Sequence, residues 1–169
     1  MLRVSEVLAI AGLTDPSFFT DRGSERGTAA HATCALDDIG DLDETSVDPI
    51  VAPYLAAWRK FRSEMKPEIL AVEEPVESVA MGFCTGGIDR RVMLDGRETI
   101  LDIKTGSPLP EHAIQLAAYC LLFPRIMARG CVYLRDDGSY QIRMFHDRKD
   151  FAVFKAALTV AAWKKENRP

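Results

Sequence analysis

The chain has 169 residues, 47% hydrophobic and 27% charged, with a formal net charge of −4 at pH 7. A chain of this length buries a core without staples, no apolar run approaches the roughly 18 residues of a membrane span, and the first residues carry no signal-peptide pattern; the sequence predicts one cytoplasmic domain over 1–169. The acidic balance argues against nonspecific coating of nucleic acid, and cysteines scattered at 34, 84, 120 and 131 argue against a disulfide or zinc framework and for buried thiols.

Residues 5–12 read as a short helix with Ser5 as N-cap and Gly12 as its stop. After a turn-rich segment over 13–23, a second helix runs from Ser24 to about Asp38 and ends near Gly40. Gly27, His31, Cys34 and Ala35 share one side of it. Glycine in mid-helix costs about 1 kcal/mol against alanine, a cost that close approach of another element or of substrate at Gly27 explains. An acidic loop over 40–47 leads to Asp48-Pro49, which opens an amphipathic helix to about Met65 with Val51, Leu55, Trp58 and Phe61 on its core face. Residues 69–77 read as a strand with Pro75 at an edge or bulge. On it Glu73 and Glu74 point to opposite faces.

Two apolar-rich runs, 87–94 and 99–103, flank Asp95-Gly96, a strong hairpin signal. With a two-residue loop Leu94 pairs with Arg97 and Asp89 falls opposite Asp102; a four-residue loop puts Asp89 opposite Lys104 on the same face. Facing carboxylates repel, and a hard divalent cation offsets that repulsion. Lys104 then stands one pleat from the metal, placed to orient or deprotonate a water or to stabilise charge on a transferring phosphate. The plainer alternative is a solvated charged face. A helix over 111–123, stopped by Pro124, stacks Gln115 and Tyr119 on one face, with His112 one turn earlier as a surface histidine. Residues 130–135 and 139–145 form a second hairpin about Asp137-Gly138. Asp147 caps a last helix over 148–166, with Phe151, Phe154, Leu158 and Ala161-Ala162 buried and a basic end complementing its dipole. No phosphate-loop motif is present, so no ATPase motor is expected.

Taken together, Gly86-Gly87-Ile88-Asp89, then Leu101-Asp102-Ile103-Lys104-Thr105-Gly106, then Gln115-Leu116-Ala117-Ala118-Tyr119 resemble the RecB-like branch of the PD-(D/E)XK nuclease superfamily. Arg26-Gly27 followed by His31 is similar to that family's opening helix, and Glu73-Glu74-Pro75-Val76 to its E-x-x-V element. The resemblance covers about 22–145 and implies an α/β, restriction-endonuclease-like core: a central mixed sheet flanked by helices. It implies a deoxyribonuclease using Mg²⁺ or Mn²⁺, held by His31, Glu73 (with Glu74 as rival), Asp89 and Asp102. Lys104 would position the attacking water, and Gln115 and Tyr119 would organise Lys104 and the DNA phosphate. Arg26, Arg90 and Arg91 are candidate contacts to the DNA backbone. The cysteine triplet that accompanies an iron–sulfur cluster in some relatives is missing, so no cluster is expected. By the same analogy the enzyme resembles phage-type exonucleases of a bacterial or phage-infected cell. These act in recombination, repair or end processing, with a strand-annealing protein or a homo-oligomer as possible assemblies. The alternative of another class is a catalytically silent nuclease-fold module that binds DNA or protein.

Overall fold

Caps and turns cut the chain into β1 (Leu2–Arg3), α1 (Val4–Ala11), α2 (Asp21–Ile39), α3 (Ala52–Met65), β2 (Glu68–Glu74), β3 (Glu77–Ser78), β4 (Phe83–Cys84), β5 (Ile88–Leu94), β6 (Arg97–Lys104), α4 (Glu111–Leu121), β7 (Ala128–Leu134), β8 (Tyr140–Met144) and α5 (Lys149–Glu166). This computed structural model describes residues 1–14 and 20–167. Part of the turn-rich segment expected over 13–23, and Arg168 of the basic tail, lie outside the described residues.

The sequence placed several boundaries differently. Ser5 lies inside α1: Arg3 is the cap residue, and its N–H donates to the Glu6 carboxylate at 2.7 Å. Thr20 caps α2 by accepting from the Gly23 N–H, so the helix starts before Ser24. Asp48 caps a separate turn by accepting from the Ile50 N–H, and Pro53, not Pro49, occupies the first turn of α3. Pro75 ends β2 outright, and β3 pairs in another sheet. That second sheet, β1-β4-β3, joins the chain's first residues to Phe83-Cys84 through two-residue strands too short to carry a pattern.

The main sheet has the order β2-β5-β6-β7-β8. Asp95 and Gly96 take φ of 48° and 72°, as a type I′ turn requires, and set Leu94 opposite Arg97. The β6–β7 pair is parallel, with α4 as its crossover, and the other pairs are antiparallel. The sheet is therefore mixed, and helices cover both faces. Alternation sends Ile100, Cys131 and Tyr133 into one core with Val7, Leu116 and Phe154 of α1, α4 and α5. Leu101, Ile103, Val132 and Leu134 pack into the other with Trp58 and Phe61 of α3 and Ala30 and Cys34 of α2. No helix among the described residues is long and apolar enough to cross a membrane.

Candidate active site

The hairpin register and the β2–β5 pairing together draw a row of acids across three strands. Val72 pairs with Arg90 and Glu74 with Ile88, which brackets Glu73 opposite Asp89. On the other side the ladder runs from Leu94–Arg97 to Arg90–Leu101, and one further step sets Asp89 opposite Asp102. There the Asp89 carboxylate accepts the Ile103 N–H at 2.7 Å. Glu73 has a φ of 48°, a conformation uncommon outside glycine. A β-carbon on Gly87 would come within 3.2 Å of the Glu73 carboxylate and 3.5 Å of its backbone, so the glycine permits this close approach.

His31 reaches the row from α2, with Nδ1 3.2 Å from Asp89 Oδ2. Ligand-type atoms of His31, Glu73 and Asp89 all lie within 4.8 Å of one another. Glu74 is turned away and paired with Arg91, so of the two rival glutamates Glu73 joins the group. Asp102, expected among the ligands, is not in it: only 2% exposed, it pairs through Oδ2 with Lys104 Nζ at 2.7 Å. A nitrogen and two carboxylates form a donor set that fits a divalent cation.

Lys104 is held at a second point, donating to Gln115 Oε1 at 3.3 Å, while Gln115 Nε2 donates to the Tyr119 hydroxyl at 2.7 Å. Gln115, Tyr119 and Lys104 thus form one chain of contacts. Burial opposes charge throughout, but the outcomes differ. Asp89 ends below the usual carboxylate range because His31, Lys104 and the Ile103 N–H outweigh its burial. Asp102 ends above it, through burial and the Asp89 charge, despite Lys104. Burial would deprotonate Lys104, but Asp102 and Asp89 override it and keep it an ammonium. His31 is raised because Asp89 and Asp102 outweigh its burial. Glu73 is raised by burial and by Asp89, with Arg90 and His31 opposing.

Lys104 and His31 lie in the wall of a cleft of about 340 Å³, with Ser24, Arg26, Gly27 and the 105–107 loop. Gly27 faces that loop, but a β-carbon there would meet Thr105 Oγ1 at 3.5 Å, an ordinary contact, so packing against the loop does not by itself require the glycine. The three arginines separate. Arg26 lines the cleft, its guanidinium 5.4 Å over the Tyr54 ring and its buried Nε without a hydrogen-bond partner among the described residues. Arg90 is completely buried, which corrects its expected role as a contact to the DNA backbone: it pairs with Asp38, whose side chain is also buried. Arg91 is occupied by Glu74 and Glu98. Because a strand turns successive residues to opposite faces, two adjacent arginines could not both face DNA. His112 is also corrected. Only 8% exposed, it meets the Tyr133 hydroxyl at 3.0 Å.

Asp38 was not singled out from the sequence, although a signal existed. Asp37 and Asp38 stand in the last turn of α2, which has no basic residue. The helix dipole disfavours acids there, so compensating cations were called for: Arg59 and Arg62 meet Asp37, and Arg62 and Arg90 meet Asp38.

No protein-family model and no curated protein matches this chain. Among solved structures it is similar to an alkaline exonuclease from Laribacter hongkongensis, with a TM-score of 0.57 and 16% sequence identity over 98% of this chain and 87% of that one. The chain therefore shares with that exonuclease a mixed α/β fold, a central mixed sheet between helices.

Proposed function

We propose that the chain is a divalent-metal-dependent deoxyribonuclease that hydrolyses phosphodiester bonds, acting as an exonuclease on DNA ends. The observation that carries this function is the convergence of His31, Glu73 and Asp89 within 4.8 Å beside the Lys104–Gln115 contact. The fold shared with an alkaline exonuclease supports it further. His31, Glu73, Asp89 and, from its place in the acidic row, Asp102 would hold Mg²⁺ or Mn²⁺. Such a cation, when bound, acts as a Lewis acid toward the phosphate and lowers the pKa of a bound water. Lys104, kept as an ammonium by its carboxylates, orients the attacking water and faces the charge that develops on the phosphate. Gln115 fixes the Lys104 side chain and Tyr119 fixes Gln115. Arg26, in the cleft wall, receives the phosphate of the DNA strand. Recombination, repair or end processing is the setting in which such an enzyme would serve.

End-labelled linear and circular DNA, single- and double-stranded, incubated with Mg²⁺, Mn²⁺ or EDTA, tests this function beside Asp89→Ala and Lys104→Ala. Metal-dependent loss of linear DNA alone, reduced at least about 100-fold in both variants, is the expected result. Cutting of circles would make the enzyme an endonuclease. Binding of DNA without cleavage under every condition would leave a non-enzymatic module.

A further inference from the structure

Arg90 follows Asp89 on β5, so its side chain enters the layer between the sheet and α2–α3. There both Arg90 and Asp38 have no exposed side-chain surface, and Nε meets Asp38 Oδ2 at 2.5 Å. The guanidinium lies 5.4 Å over the Trp58 ring. Asp38 is held in turn by Trp58 Nε1 at 3.0 Å and Arg62 Nη1 at 2.8 Å. From this anchored end the arginine reaches back toward the site: Nη1 donates to the Asp89 carbonyl at 2.5 Å and to Glu73 Oε1 at 3.4 Å.

A fully buried ion pair is a poor source of stability, since desolvating both charges offsets most of their attraction. The arrangement does something an apolar pair cannot. Two residues of the candidate ligand group, Glu73 and Asp89, belong to the sheet, whereas His31 belongs to α2. Asp38 lies two turns on from His31 along that helix. Arg90 joins the backbone of Asp89 and the side chain of Glu73 to the same helix that carries His31. Glu73 has most need of the tether, because its side chain is 45% exposed and its backbone is in the left-handed region.

We propose that Arg90 and Asp38 are positioning residues that fix the distance between the sheet ligands and the helix ligand, and so set the affinity of the His31–Glu73–Asp89 group for a divalent cation. This rests on the metal-dependent function above. A planar fork fixed at one end is suited to the task, and lysine, with a single ammonium, is not.

The test is Mn²⁺ binding to the full chain, followed by the electron paramagnetic resonance of free Mn²⁺, for wild type, Arg90→Lys, Asp38→Asn and Glu73→Gln. Arg129→Lys serves as a control, since Arg129 is also buried but pairs with Asp150 in the opposite layer. Circular dichroism and metal-free unfolding are read in parallel. Arg90→Lys and Asp38→Asn are expected to weaken Mn²⁺ binding by about 10- to 100-fold while remaining folded, and Arg129→Lys to leave it unchanged. Combined with Glu73→Gln, Arg90→Lys is expected to cost less than the sum of the two separate losses, because Arg90 acts through Glu73. Folded Arg90→Lys and Asp38→Asn chains that bind Mn²⁺ as wild type does would overturn the proposal. Should both fail to fold, Trp58→Phe decides, as it removes only one donor to Asp38: a several-fold weaker binding upholds the proposal and unchanged binding overturns it. Wild type that binds no Mn²⁺ would instead overturn the metal-dependent function.

Discussion

The His112 imidazole is a neutral acceptor. The Leu109 N–H at 3.3 Å and the Tyr133 hydroxyl at 3.0 Å both meet Nδ1, which leaves the ring proton on Nε2. Burial, with Lys104 and Arg143 nearby, pushes its pKa down from 6.5 to about 4. On unfolding the ring regains its ordinary pKa, so between these values the unfolded chain takes up a proton that the folded chain refuses. The contribution to stability is therefore complete above about pH 6.5 and is lost as pH falls through about 4. Urea midpoints measured near pH 7 and near pH 5 check this: His112→Gln is expected to lose less stability between them than wild type does. An equal loss would clear His112 of the effect. The spacing that put His112 one turn before Gln115 could be read from the sequence, but its burial could not. That burial comes from Tyr133, a residue on β7 far along the chain.

Among the elements, the β5–β6 hairpin was the most legible, because Asp-Gly chemistry and alternation both act over short range. Its two-residue turn fixes the register on which the facing of Asp89 and Asp102 depends. Gly96→Ala puts a β-carbon at a φ of 72° and is expected to cost about 1 kcal/mol, measurable as a lower urea midpoint. Metal binding per folded molecule is expected to persist, since a register slip would send every buried side chain of the strand to solvent. The limit of β2 was less legible. Pro75 signalled an interruption, but whether the chain bulges or leaves the sheet is decided by β4, which takes β3 as its partner. The start of α3 slipped for a related reason: Asp48 and Pro49 carry helix-opening chemistry, yet they form a turn that ends where Val51 is buried against the second core.

Across the whole molecule, the sheet separates two cores that differ in what they support. Trp58 and Phe154 are both fully buried, one in each core. Replacing either with alanine is expected to cost about 3–5 kcal/mol, seen as a lower thermal midpoint. Trp58→Ala also strips a donor from Asp38 and the ring from beneath Arg90, so it alone is expected to weaken Mn²⁺ binding. Equal metal affinities in the two variants would show that the layers are not distinguished in this way. The sequence announced the aromatic stripe of α3 but not this coupling, because Asp38, Trp58 and Arg90 sit on three elements and meet only after packing.

His31 belongs to α2, Glu73 and Asp89 to neighbouring antiparallel strands, and Gln115 to the crossover helix before β7. β6, which carries Asp102 and Lys104, is a central strand and has β7 as its parallel neighbour. A ribosome therefore releases all of these side chains before it releases the strand that closes the sheet around them. A prematurely terminated product that stops short of β7 has every residue of the site and no finished scaffold to aim them. The site is thus completed only when the last strands of the sheet are in place, however early its side chains are made.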